Sequence, residues 1–304
     1  MTEQELKLLQ AYPLELKVMK TKLRIREWVD YYGEEGVYVS FSGGKDSTVL
    51  LDIVRSIYPD IPAVFSDTGL EFPEIKEFVK KQENVTIIRP EHSFKYVIEN
   101  EGYPVVSKSV ANAVRLAKKN IEDGKEDTLR VRQLRGLEVG SKFNKAKWGF
   151  LLDAPFKISE KCCNELKKKP MKKYDKESGR VPMIATMADE GQQRKAAYLM
   201  TGCNAFNNGK SQPMGFWTEQ DVLQYIVEHN LEIASVYGDV VLEDGKYRTT
   251  GEKRTGCIFC AFGCHLEKSP NRFERLKETH PQLYDYCMNN LGMAEVLDYI
   301  NVKH

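Results

Sequence analysis

The chain has 304 residues and a net charge of +1, with 45 Lys and Arg against 44 Asp and Glu. Hydrophobic residues make up 41% and charged residues 29%, which fits a chain with a packed core and excludes a disordered or fibrous one. No apolar run approaches the roughly 18 residues that a membrane-crossing helix needs, so no membrane partner is expected. The opening Met1-Thr2-Glu3-Gln4-Glu5 is acidic and lacks a signal-peptide pattern, which makes a reducing cytoplasm the expected compartment.

Thr2 and Glu5 form a capping box for a first helix, interrupted near Pro13. Residues 14–32 read as a long helix ending at Gly33. Val37, Val39 and Phe41 mark a strand, and a helix follows from Asp46 to about residue 57. Residues 61–65 form a second apolar strand, 73–81 a helix with proline at its permissive first turn, and 85–88 a third strand. Residues 108–119 are helical, and 123–147 read as an inserted or mobile stretch. A further core strand at 181–186 precedes helices at 189–199 and 218–229, the latter with a good N-cap. Beyond Tyr237 the pattern is short and turn-rich, then helical from about Asn271.

Strands alternating with helices at this spacing predict an α/β fold: an open, mostly parallel twisted sheet with helices on both faces. The expected organisation is an N-terminal helical extension over 1–35 and an α/β domain over 36–240. A C-terminal cysteine-containing loop and helical segment over 241–304 completes it.

Ser42-Gly43-Gly44-Lys45-Asp46-Ser47 is the most informative run. Gly43 and Gly44 permit backbone conformations that a Cβ forbids, so successive N–H groups can point into one concavity. The helix opening at Asp46 and Ser47 turns its positive dipole end toward the same place. That arrangement binds phosphate, although the Walker spacing Gly-x4-Gly-Lys-Ser/Thr is absent. The bland alternative is an ordinary strand-to-helix turn. The six positions resemble the pyrophosphate loop of the adenine nucleotide α-hydrolase superfamily, whose members cut ATP between its α and β phosphates and leave an adenylated substrate. The resemblance implies that Ser42, Gly43, Gly44, Lys45, Asp46 and Ser47 hold ATP. Lys45 would stabilise departing pyrophosphate, and Asp46 would position Mg2+.

Later motifs narrow the superfamily. Asp67-Thr68-Gly69-Leu70-Glu71-Phe72-Pro73-Glu74 resembles the segment after the second strand in phosphoadenosine phosphosulfate (PAPS) reductases and in the ATP-using subunit of ATP sulfurylase. The resemblance implies that Asp67 helps hold the nucleotide or its metal; a helix-capping turn is the alternative. Pro213 and Trp217 through Ile226 look like the same family's segment after the core sheet, with Trp217 and Tyr225 as packing residues. Met187-Ala188-Asp189-Glu190-Gly191-Gln192-Gln193-Arg194 is similar to the family pattern Arg-Ala-x-Glu-Ser-x-x-Arg. Glu190 and Arg194 match it, while Met187 and Gly191 depart. Arg194 is a candidate for neutralising phosphate, since its planar fork suits oxyanions, with a plain surface arginine as the alternative.

Seven cysteines in a chain without an export pattern argue against a disulfide scaffold and for metal. The pattern Cys162-Cys163 with Cys257-Ile258-Phe259-Cys260 resembles assimilatory adenylylsulfate reductases, where four thiolates hold a [4Fe–4S] cluster. Adjacent cysteines suit a single tetrahedral zinc poorly, so zinc is the second choice and unligated thiols the third. Lys161 and Lys167-Lys168-Lys169 flank the pair, as basic residues do in that family. Cys264 is a substitute ligand or redox neighbour; His265 is a ligand, a proton donor or an exposed loop residue. Cys203 and Cys287 read as small core residues.

Between Lys108 and Arg180, 20 Lys and Arg stand against 10 Asp and Glu. The segment suits an anionic partner such as a nucleic-acid acceptor, or else consists of solvated helix faces. Arg130, Arg132, Arg135, Lys142, Lys145 and Lys147, interleaved with Phe143 and Trp148, are its most suggestive part.

The leading expectation is a PAPS-reductase-family enzyme of sulfur metabolism. It would cleave ATP to AMP and pyrophosphate and couple this to sulfur transfer beside the cluster, with a thiol or sulfur-donor protein as partner. Reduction of PAPS or adenylylsulfate to sulfite is the alternative. The family's reductases carry a nucleophilic cysteine in a Glu-Cys-Gly-Leu-His-type element, which Tyr299-Ile300-Asn301-Val302-Lys303-His304 does not contain. A non-catalytic nucleotide-binding regulatory subunit is the third reading.

Overall fold

The computed structural model describes residues 1–137, 140 and 144–304. Lys142 and Phe143 of the basic segment lie outside them. The strands are β1 (Val37–Ser40), β2 (Ala63–Ser66), β3 (Val85–Ile88), β4 (Val105–Val106), β5 (Val181–Ile184), β6 (Asn204–Ala205), β7 (Lys210–Ser211), β8 (Val240–Glu243), β9 (Lys246–Thr249) and β10 (Ala261–Phe262). Two compact units result, one from Met1–Asp67, Glu71–Arg89 and Pro170–Thr255, the other from Thr68–Leu70, Pro90–Lys169 and Gly256–His304.

The first unit contains a six-stranded sheet in the order β3-β2-β1-β5-β7-β6. All neighbours are parallel except β6, which runs antiparallel to β7. This is the predicted mostly parallel α/β sheet. Val37, Tyr38 and Val39 are buried, as a central parallel strand requires. From β1 the chain moves outward to β2 and β3, then returns to β5 on the other side. The carboxyl end of β1 is therefore a topological switch point, where open α/β sheets leave a ligand crevice.

Helices Lys45–Arg55 and Pro73–Lys81 connect these strands. Thr2 and Glu5 make the predicted capping box for helix Glu3–Gln10. The long helix Leu14–Tyr32 turns Ile25, Trp28 and Val29 inward, and burial of each such side chain stabilises by roughly 1.5–3 kcal/mol. It also buries Lys17, whose ammonium donates to both Asp221 carboxylate oxygens at 2.7 and 2.6 Å and to the Gln10 carbonyl oxygen at 2.7 Å.

Three boundaries differ from expectation. The loop helix begins at Lys45, with Gly44 as its cap, one residue earlier than the sequence suggested. A single helix over 189–199 is replaced by a 3-10 turn Ala188–Glu190 and a helix Gln192–Thr201. Gly191 between them has φ +149°, which interrupts helical geometry and strains any residue with a Cβ. The turn-rich stretch after Tyr237 contains the hairpin β8–β9, with Asp244 and Gly245 both at positive φ.

In the second unit β4 pairs in parallel with β10, so the chain just before Lys108 lies beside the segment that follows Cys260. Ser107 caps helix Lys108–Glu122 by accepting from the Val110 amide. The stretch read as inserted or mobile carries a helix, Leu129–Arg135, and leads to a 3-10 segment Ala146–Asp153. Val131, Leu134 and Leu151 are buried there, and this burial explains the order. No helix among the described residues is long and apolar enough to cross a membrane.

Candidate functional site

The glycine loop leaves β1 at the switch point. Gly43 has φ +69°, and a Cβ there would lie 2.7 Å from Ile75 Cγ2 and 2.7 Å from Val79 Cγ2. Helix Pro73–Lys81 thus packs against a backbone that only glycine supplies. The loop closes on itself through hydroxyls. Ser42 N donates to Ser47 Oγ at 3.1 Å, and Ser47 Oγ donates to the Gly44 carbonyl at 2.9 Å. Lys45 N donates to Tyr237 Oη at 3.2 Å, and that hydroxyl lies 2.6 Å from Thr255 Oγ1. Asp46 and Ser47 sit in the first helical turn, where backbone N–H groups have no intrahelical acceptor.

Lys45 is only 3% exposed. Its ammonium donates to the Lys253 carbonyl at 3.1 Å, lies 3.3 Å from Glu219 Oε1 and 3.8 Å from Asp46 Oδ1. Asp46 Oδ1 is buried and accepts no hydrogen bond. Burial pushes the Asp46 carboxyl above its usual range; Lys45 opposes this, while Glu190 and Glu219 reinforce it. A buried carboxylate oxygen without a donor, with two further carboxylates acting on it, fits a bound divalent cation.

The other predicted residues of this unit are distributed around the loop. Glu190 accepts from the Met187 amide at 2.9 Å and forms an ion pair with Arg194, which is half-exposed. Asp67 follows β2 at the same sheet edge, but its carboxylate is held by Lys76 at 2.9 Å and Arg89 at 3.4 Å. Sequence reasoning missed Tyr237, Thr255, Glu219 and Lys253. The basic run Lys253-Arg254 was a usable signal; Tyr237 gave none.

In the second unit Cys162, Cys163, Cys257 and Cys260 line one small cavity of about 10 Å³ with Leu70, Phe94, Pro104, Leu166 and Lys167. The segment following Cys163 is a π-helical turn, Asn164–Lys168, and both adjacent cysteines line the cavity. Cys260 N donates to the Cys257 carbonyl at 3.1 Å, which forms the Cys-x-x-Cys turn. Its neighbour Cys162, with Lys108 and Lys167, holds Cys163 toward thiolate, while Cys163 and burial push Cys162 up. Burial pushes Cys260 up to about 12.

None of the seven cysteines is in a disulfide. Among the described residues no three His, Cys, Asp or Glu side chains are already arranged to hold a metal ion. Four cysteine side chains nevertheless line one apolar cavity, with Lys108 and Lys167 acting on Cys163. Cys264 is apart from that cavity lining and donates to the Ala261 carbonyl at 3.0 Å. Cys203 and Cys287 are buried.

A glycine loop with a buried lysine at the switch point of a mostly parallel sheet defines an open α/β protein whose ligand crevice lies at the carboxyl end of β1. Comparison with known proteins refines this class. Residues 36–120 and 126–265 match the phosphoadenosine phosphosulfate reductase domain family. The chain belongs to that family, within the adenine nucleotide α-hydrolase superfamily.

An adenosine 5′-phosphosulfate reductase of Staphylococcus haemolyticus is 27% identical over 243 residues, 79% of this chain and 76% of that protein. An uncharacterized protein of Methanocaldococcus jannaschii is 23% identical over 262 residues, 82% of this chain and 46% of that protein. The chain thus spans about half the length of the archaeal relative. A phosphoadenylyl-sulfate reductase structure from Candida auris aligns with a TM-score of 0.39 at 17% identity, over 77% of this chain and 90% of that one.

Proposed function

We propose that the chain binds ATP through the glycine loop, cleaves it to AMP and pyrophosphate, and couples this to sulfur transfer. Its second unit would hold a [4Fe–4S] cluster on Cys162, Cys163, Cys257 and Cys260, with zinc as the alternative metal. The observation that carries the reading is the buried Lys45 ammonium at the switch point, beside first-turn amides and a carboxylate oxygen without a donor. In the reaction an acceptor oxygen attacks the α-phosphorus, the bond to the bridging oxygen breaks, and pyrophosphate leaves with the electron pair. Lys45 and the amides of Asp46 and Ser47 would take up the developing charge, each such donor lowering the barrier by about 3 kcal/mol. Asp46, with Glu190 near, would hold Mg2+ to neutralise the phosphates.

Hydrosulfide then forms a carbon–sulfur bond as the carbon–oxygen bond breaks and AMP departs. A bound cluster would supply iron able to carry sulfur or electrons. A thiol or sulfur-donor protein is the partner this chemistry needs. Lys45→Ala abolishes pyrophosphate release with the fold intact. Cys163→Ala, purified without oxygen, loses iron, sulfide and cluster absorbance but still binds ATP. Absence of any calorimetric heat with Mg2+ and ATP would sink the proposal.

A second reading is reduction of a sulfonucleotide to sulfite. The similarity to a protein named adenosine 5′-phosphosulfate reductase over 79% of the chain favours it. Here the loop would grip the nucleotide phosphate, and a thiol would supply the two electrons. Sulfite release from adenosine 5′-phosphosulfate with thioredoxin, without pyrophosphate release from ATP, selects this reading over the first.

A further inference from the structure

We propose that the second unit carries a docking surface for single-stranded nucleic acid, built on Trp148 and Phe150. The surface names the acceptor class of the sulfur-transfer reading and rests on that reading for its role, though not for binding itself. Trp148 and Phe150 lie on the 3-10 segment Ala146–Asp153 with ring centroids 6.1 Å apart. Phe150 is 40% exposed and packs on Tyr299 at 5.7 Å, whose hydroxyl donates to the Phe150 carbonyl at 2.9 Å. Two partly exposed aromatic planes fixed on one segment give bases a sequence-tolerant stacking platform.

The charges beside the rings are available. Lys147 is exposed, with its ammonium 4.9 Å from the Trp148 ring centroid. Among the described residues neither Lys145 nor Lys147 is paired with a carboxylate, whereas Arg132 and Arg135 are neutralised by Asp127 and Glu126. His265 stands edge-on to Trp148 at 5.1 Å, and its buried Nδ1 has no hydrogen-bond partner.

An apolar protein surface or a lipid would cover the rings but leave the two ammonium groups unmatched. A phosphate chain bearing flat bases satisfies both the rings and the ammonium groups. His265 lies on the turn Cys264–Leu266 that follows β10, five residues after Cys260.

Trp28 and Trp217 are 0% exposed, which makes tryptophan fluorescence a reporter of Trp148. The full chain is titrated with single-stranded RNA and DNA of about 12 nucleotides, a length such surfaces cover. Inorganic polyphosphate serves as a base-free control. The expected result is saturable quenching by the single strands and none by polyphosphate. Two phosphate contacts predict that affinity falls about sevenfold between about 50 and about 200 mM salt.

Lys147→Glu should weaken binding at least tenfold. Trp148→Ala, read by anisotropy of a labelled strand with circular dichroism as the folding control, should do the same. Equal quenching by polyphosphate, no quenching at all, or undiminished binding by both variants overturns the proposal. Binding needs neither ATP nor a cluster, so pyrophosphate release without strand binding refutes this surface alone. Strand binding without pyrophosphate release refutes only the loop chemistry.

Discussion

Lys45 Nζ lies 3.3 Å from the Glu219 carboxylate, a pairing of the loop's buried cation with the first residue of helix Glu219–Glu228. An incoming phosphate chain must take over this ammonium, and Glu219 both competes for it and repels the phosphates. Glu219 is partly exposed, so solvent limits the pairing to about 0.2–1 kcal/mol. Glu219→Gln should therefore tighten nucleotide binding by up to about fivefold, since about 1.4 kcal/mol corresponds to tenfold. Lys45→Ala should weaken it more than tenfold. Calorimetric titration with Mg2+ and ATP measures both, and weaker binding by Glu219→Gln would show that the carboxylate assists the ligand.

Gly43 gives a prediction about the fold and the loop together. Alanine there must hold φ +69° and push against Ile75 and Val79 at 2.7 Å. Strain and overpacking each destabilise by about 1–3 kcal/mol. Gly43→Ala should lower the melting temperature by several degrees and also abolish nucleotide binding. Unchanged melting would mean that helix Pro73–Lys81 yields easily. Gly44→Ala, whose nearest neighbours would be hydroxyl oxygens at 3.2 Å, should be milder.

Much of this was legible in the sequence because it depends on local rules. Helix Leu14–Tyr32, helix Pro73–Lys81 and strand β3 follow from periodicity, proline placement and β-branched runs. The tight glycine turn between β1 and helix Lys45–Arg55 was legible because two glycines between a strand and a helix leave few other geometries. Hairpin β8–β9 escaped the sequence reading although Asp244-Gly245 is a strong two-residue turn signal, because Glu243, Lys246 and Arg248 leave its short strands with little apolar alternation. Tyr237, Thr255 and Glu219 could not be read, since they reach Lys45 only through long-range packing. The convergence of four cysteines depends likewise on the β4–β10 pairing, for which two-residue strands leave almost no pattern.

Lys17 and Asp221 form a buried pair that was also invisible to periodicity. Lys17 is 1% exposed and sits on a face otherwise occupied by Ile25 and Trp28. Asp221 also accepts from the Thr218 amide at 2.7 Å, so one carboxylate serves both the ion pair and a helix cap. Removing one partner strands the other charge, at a cost of about 3–5 kcal/mol. Asp221→Ala should lower the urea midpoint strongly, and Lys17→Met should lower it as well. The double variant Lys17→Met with Asp221→Leu should recover part of the loss. Additive losses in the double variant would disprove a mutual interaction.

Glu160 supplies the pH dependence. Burial opposes its ionisation, but hydrogen bonds from Arg115 and Asn112 outweigh that and hold its carboxyl at about 2, against an ordinary 4.5. Arg115 reaches it through Nε at 3.0 Å and Nη2 at 2.6 Å, which links helix Lys108–Glu122 to the residue two before Cys162. A carboxyl with a depressed folded-state value binds fewer protons folded than unfolded, so stability rises with pH across that window. The contribution is complete above about pH 4.5 and disappears as the pH falls toward 2. Glu160→Gln should therefore lose stability at neutral pH and flatten the acid limb below pH 4.5. Denaturant midpoints of wild type and variant on either side of that value test this. An acid limb equally steep in both proteins would assign the acid sensitivity to other carboxylates.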